Sequence, residues 1–206
     1  MMTMPNSLLA SVGFDALCHC MEAYMSTIGQ PIIDLISHKG MELIAENLVK
    51  VYEGNGDADS WDALTLASTF GGMSINTAGV ALPHGMEHPC SGLKNITHGK
   101  GLAALTPIIT EESVKKATAE KNTFALSKYD EISKILGGKG ASDCADAIRG
   151  LLEKINLSLT LSEQGIEKKD VDWLTENCMK VSAANLTNHP VHFEKEEVKE
   201  LYLRCL

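Results

Sequence analysis

Apolar residues in this chain recur at three- and four-residue intervals and almost nowhere alternate with polar ones, which points to helices throughout. Over residues 7–27, Leu8, Leu9, Val12, Ala16, Cys20 and Ala23 fall toward one side of a helical wheel, with Asn6 placed to act as the N-cap. A second helix is predicted after Gln30-Pro31, carrying Ile32, Leu35, Ile36, Leu43, Ile44 and Leu48 until the turn Gly54-Asn55-Gly56. A third, over 60–77, is rich in small residues (Ala67, Ser68, Gly71, Gly72, Ser74) and is expected to be largely buried by close helix–helix approach. Shorter helices are predicted over 84–93, 99–108, 125–136, 141–155, 168–186 and 194–205. No run of β-branched or aromatic residues alternates with polar ones over four positions, and no fixed-period repeat appears. The expected fold is an all-α, multi-helix bundle forming one domain over 1–206. The lysine- and glutamate-rich stretch 111–121 reads as a solvated helix end or loop.

The charge balance narrows the partners. With 27 acidic against 18 basic residues and a net charge of -9, the chain offers no basic stripe for nucleic acid or an anionic membrane surface. No apolar run is long enough to span a bilayer, and the N-terminal residues lack the succession of a signal peptide, so a cytoplasmic location is expected. The doubled Met1-Met2 reads as a start set ahead of an internal sequence. Six cysteines without a CxxC pair read as reduced thiols.

Chemistry concentrates in two clusters. Asp15 and His19 stand four residues apart on the first predicted helix, so their side chains leave the same face about 5–6 Å apart. His84 and His88 repeat that spacing within Pro83-His84-Gly85-Met86-Glu87-His88-Pro89, and His98 follows, where a short reversal can return a third imidazole to the same point. Imidazoles with a carboxylate suit Fe(II), Zn(II), Mn(II) or Co(II), whereas calcium and magnesium prefer all-oxygen shells. One aspartate–histidine pair alone is more often a local ion pair; two clusters together point to a transition-metal site. Cys18 and Cys20 flank His19 but project in other directions and read as packing residues. His38, His189 and His192 lack partners at ligand spacing and read as surface or core histidines, while Glu22 and Glu87 are candidate acceptors behind the ligand imidazoles.

Gly13-Phe14-Asp15-Ala16-Leu17-Cys18-His19-Cys20-Met21-Glu22-Ala23-Tyr24 resembles the first metal-ligand helix of the iron-containing alcohol dehydrogenases. His84-Gly85-Met86-Glu87-His88-Pro89 with His98-Gly99 resembles the second signature of that family, and Asn188-His189-Pro190 ahead of a final helix is similar to its C-terminal ending. The resemblance covers nearly the whole chain. It implies the C-terminal helical domain of a dehydroquinate synthase-like fold, with Asp15, His19, His84 and His98 as metal ligands. It makes His88 a non-ligand facing nicotinamide and substrate, suited to relay the alcohol proton. It further implies Fe(II) as the metal, with Zn(II) second, and hydride exchange between a small alcohol or aldehyde and NAD or NADP, the metal polarising the substrate oxygen.

That family begins with an α/β nucleotide-binding domain carrying a Gly-Gly-Gly-Ser loop, which nothing here matches. Gly137-Gly138-Lys139-Gly140 follows a helix and reads as its C-terminal turn. The chain is therefore expected to be a metal-binding half that binds its cation without turnover. The apolar face left without a partner would favour self-association, as in a homodimer. Rival readings are a glycerol-dehydrogenase-like or dehydroquinate-synthase-like enzyme with fewer histidines on a zinc ion, a helical metal-dependent phosphohydrolase, which would normally show an adjacent His-Asp pair absent here, and a non-catalytic helical module.

Overall fold

The structure, a computed structural model, describes residues 3–206; the reading made on Met1-Met2 lies outside them. Among the described residues there are ten α-helices and no strand. They are α1 (Asn6–Met25), α2 (Pro31–Tyr52), α3 (Ala58–Ala78), α4 (Leu82–Lys94), α5 (His98–Glu120), α6 (Thr123–Ile135), α7 (Cys144–Lys154), α8 (Val171–Val181), α9 (Ala183–Asn188) and α10 (Lys195–Arg204). The all-α expectation holds. No described helix is long and apolar enough to cross a membrane.

α1 is the central element. It packs against α2 and α3 on one side and α5 on the other, and Phe14, Leu17, Cys18, Cys20 and Met21 are fully buried along it. Burying a side chain the size of Phe14 or Leu17 stabilises the fold by about 1.5–3 kcal/mol. Leu8 and Val12, predicted to share the apolar side, instead lie exposed at 45% and 38%. They lead along α1, at helical spacing, to Asp15 and His19. Asn6 is not the N-cap: Pro5 takes that position, Asn6 opens the helix, and its side-chain amide donates to the Tyr52 carbonyl at the end of α2.

Other boundaries moved for local reasons. α3 starts earlier than predicted because Asp57 caps it, its carboxylate accepting from the Ser60 N–H at 2.9 Å and the Ser60 hydroxyl at 2.8 Å. It is not largely buried: Ser60, Leu64, Ala67, Gly71, Ser74 and Ala78 form one buried stripe, while Leu66 and Met73 are about half exposed. The segment 99–108 and the charged stretch after it form one helix, α5, which runs through Pro107. Its charged turns are solvated on one side and bury Ser113 and Ala117 on the other. The single helix predicted over 168–186 is broken into a one-turn 3-10 helix, α8 and α9, separated at Ser182. Gly137 closes α6 with a φ of 91°, the left-handed turn expected of the glycine cluster, and the Lys139 N–H is taken up by the Asp143 carboxylate at 3.0 Å.

Candidate metal centre

Three helices deliver side chains to one oxygen. Asp15 Oδ1 lies 3.4 Å from His19 Nε2 on the same helix, 3.4 Å from Nε2 of His84 in the first turn of α4, and 3.7 Å from Nε2 of His98, the first residue of α5. Ligands about 2.1 Å from a tetrahedral centre stand about 3.4 Å from one another, so this is the spacing a shared cation requires. Two of the buried atoms, Asp15 Oδ1 and His84 Nε2, have no hydrogen-bond partner. These two atoms face each other at 3.4 Å with no hydrogen bond between them, an arrangement that calls for positive charge, a proton on the ring or a cation in the gap. One carboxylate and three imidazoles therefore fit a first-row divalent ion.

Glu22 and Glu87 stand behind this set. Glu22, 1% exposed, lies on α1 three residues past His19. Its Oε1 meets His84 Nδ1 at 2.7 Å, and its Oε2 accepts the backbone N–H groups of Ala81 at 2.6 Å and His84 at 3.4 Å. α4 has no N-cap side chain of its own; Glu22 fills that role from another helix. Glu87, fully buried, pairs with His98 Nδ1 and accepts from the Ser91 hydroxyl.

The electrostatics follow from these contacts. Burial opposes ionisation of Glu22, but His84 and the two backbone donors outweigh it and hold the carboxyl below the usual range. Burial alone would likewise raise Asp15, yet the neighbouring His84, His19 and His98 lower it. His84 is penalised by burial, but Glu22 and Asp15 lift it to about 10. His98 is raised chiefly by its bond to Glu87. His19 is lowered by burial and by its neighbour His84. The site is an acidic pocket in which positive charge is favoured.

Glycines set the approach of the three helices. A Cβ on Gly99 would fall 2.1 Å from the Ser11 carbonyl oxygen, and one on Gly101 2.8 Å from Glu87. Only glycine lets the start of α5 press against α1 and so carry His98 to Asp15. Gly71 of α3 performs a similar service behind His19, with a Cβ position 3.1 Å from the His19 Cβ. The Tyr202 hydroxyl of α10 donates to the Met86 carbonyl at 2.7 Å, bracing α4 from behind. At the other end of the site, the Asn188 amide donates to the Val80 carbonyl at 3.2 Å, the Thr27 N–H donates to the Asn188 carbonyl at 2.9 Å, and the Ser26 hydroxyl donates to Ala78 at 2.7 Å.

His88 is exposed and stands outside the four-residue set, its ring 5.8 Å from that of His84 and 5.7 Å from that of His98. Desolvation and the neighbouring His84 lower its pKa, which favours a neutral imidazole at the rim. Glu87, His88 and His98 form a second tight group of ligand-type atoms on the same side. His38 pairs with Glu42 at 3.5 Å and His192 with Glu194 at 3.1 Å, both on the surface. All six cysteines are buried and free.

His189 is a core histidine that sequence reading left without a partner. Its Nε2 meets the Ser113 hydroxyl at 2.9 Å and the Tyr129 hydroxyl at 3.5 Å, contacts separated by 76 and 60 residues that no local pattern announces. Glu22, by contrast, had a signal: Asp15, His19 and Glu22 follow i, i+4, i+7 spacing on one face.

Comparison with known proteins places the chain in a family. Residues 9–206 match the "Fe-containing alcohol dehydrogenase family, C-terminal". The chain belongs to the iron-containing alcohol dehydrogenase family. As a member, it is 32% identical over 198 residues to alcohol dehydrogenase 4 of Saccharomyces cerevisiae (strain ATCC 204508 / S288c), covering 96% of this chain and 50% of the yeast protein. It is 29% identical over 210 residues to the NADPH-dependent butanol dehydrogenase of Clostridium saccharobutylicum, covering 97% and 51%. Among solved structures, an alcohol dehydrogenase from an archaeal halo-thermophile of a Red Sea brine pool superposes with a TM-score of 0.93 at 27% identity, over all of this chain and 52% of the other. A 1,3-propanediol oxidoreductase gives 0.86 at 26%, over 100% and 53%. The chain thus spans about half the length of the relatives it matches.

Proposed function

We propose that residues 1–206 form the helical, metal-binding catalytic domain of an alcohol dehydrogenase acting on a small alcohol or aldehyde with NAD or NADP. Asp15, His19, His84 and His98 would hold a divalent cation, Fe(II) in preference to Zn(II) in keeping with the family. The observation that carries the reading is the meeting of three imidazole Nε2 atoms within 3.4–3.7 Å of one Asp15 oxygen, with Asp15 Oδ1 and His84 Nε2 orphaned.

When bound, such a cation supplies Lewis-acid polarisation of the substrate oxygen, and the nicotinamide supplies the hydride acceptor or donor. The protein's own contribution is placement and proton handling. Asp15 and the three histidines would hold the cation in the pocket and so set where a substrate oxygen is polarised. A ring nitrogen of His88 takes up the alcohol proton, and its exposed edge passes that proton to solvent. The exposed α1 residues Leu8 and Val12, leading to His19 at helical spacing, form apolar surface suited to a nucleotide-binding half.

The test is direct. The metal-free chain is titrated with Fe(II) without oxygen, and separately with Zn(II), and bound metal is counted by elemental analysis. One cation per wild-type chain is expected, with loss of that site in Asp15→Ala and His84→Ala. Equal uptake by both variants and wild type would sink the reading. Added NAD(P) and alcohol should give no turnover until a nucleotide-binding half is supplied.

A further inference from the structure

The three imidazoles around Asp15 are not held alike. His84 presents Nδ1 to Glu22 in a 2.7 Å hydrogen bond and His98 presents Nδ1 to Glu87 in a close ion-pair contact, while neither a hydrogen bond nor an ion pair reaches Nδ1 of His19 among the described residues. Glu22 and Glu87 are 1% and 0% exposed. Each is held by a second contact, Glu22 by the Ala81 and His84 N–H groups and Glu87 by the Ser91 hydroxyl. Because a carboxylate only accepts, the nitrogen facing it carries the proton and the opposite nitrogen keeps its lone pair. For His84 and His98 that free nitrogen is Nε2, the one aimed at Asp15. Glu22 also grips the N-terminus of α4, so a single side chain fixes both the helix that carries His84 and the rotation of its ring.

We propose that Glu22 and Glu87 are positioning residues that lock His84 and His98 in the form that binds a cation through Nε2. These two are then the retaining ligands, and His19, whose Nδ1 no carboxylate holds, is the one that yields first. The proposal rests on the metal-binding reading above and extends it to how the cation is kept and released. A ligand imidazole without a hydrogen-bonded second nitrogen must pay ring-rotation entropy on binding, and loss of such a partner weakens metal affinity by about 10- to 100-fold.

The experiment uses Zn(II) as the probe, titrated into the metal-free chain against a chelator, with ring-nitrogen NMR on protein labelled with 15N-histidine. In the zinc-loaded wild type, two of the three ligand rings should show an Nδ1–H protected from exchange with water, and the third, His19, should exchange fast. Glu22→Gln should weaken zinc binding about 10- to 100-fold and remove the protected signal of His84 alone; Glu87→Gln should do the same for His98. Glu22→Asp, which restores the charge on a shorter stem, should recover part of the loss. If Glu22→Gln does not fold, Glu87→Gln and Glu22→Asp carry the test. Wild-type affinity in both glutamine variants, or equal protection of all three rings, overturns the proposal. Failure of the wild type to take up zinc brings down the metal-binding reading itself.

Discussion

Replacing Gly99 by alanine tests how the site is assembled. The added methyl would sit 2.1 Å from the Ser11 carbonyl oxygen and 2.7 Å from both the Ser11 carbonyl carbon and its hydroxyl, where ordinary contact starts near 3.4 Å. Two of these atoms are backbone, so relief requires the start of α5 to move off α1 by about an ångström, and His98 is the adjacent residue. Metal–ligand distances tolerate only about 0.2 Å, and His98 Nε2 already stands 3.7 Å from Asp15 Oδ1, the longest of the three separations. Over-packing of this kind costs about 1–3 kcal/mol, which in a chain of this size lowers Tm by about 2–12 °C. The assay is a metal-free thermal melt alongside zinc titration, with Gly72→Ala as control. Gly72 lies within α3 with open space at its Cβ position, and alanine there should leave zinc binding alone and raise stability by up to about 1 kcal/mol. Wild-type melting and wild-type zinc affinity in Gly99→Ala would refute the claim that this close crossing positions His98.

Two other outcomes are expected. His88→Ala should keep its cation at unchanged affinity, yet in the enzyme joined to its nucleotide-binding half turnover should fall roughly a hundredfold or more; metal loss in this variant would make His88 a ligand. His189 gives a pH signature: burial lowers its pKa from 6.5 to about 4, so the unfolded chain binds a proton that the folded one refuses. Stability is then full above about pH 6.5 and falls as pH drops toward 4, by about 3 kcal/mol from this group. Urea unfolding of the metal-free chain at pH 7 and pH 5 should show His189→Gln losing part of that slope, and an identical slope would refute the assignment.

Much of this molecule was legible because its helices carry strong periodic signals. The clusters Asp15/His19 and His84/His88/His98 stood out for the same reason, since four-residue spacing on a helix puts side chains on one face. Illegible were features set by partners far along the chain. Leu8 and Val12 count as apolar in any wheel, and only the packing of α1 reveals that their side faces outward. α3 looked buried because small residues permit close approach, but they do so along a single stripe. The break at Ser182 and the burial of His189 depend on how the last forty residues fold back, for which apolar period is no guide. Glu22 could be placed on the right face of α1, whereas its capping of α4 required knowing which helix start lies opposite.

The tie between Asn188 and Val80 joins residues 108 apart in sequence. During synthesis the loop leading into α4 emerges long before the side chain that fastens it, so this tie can close only after the chain has folded back on itself past residue 188.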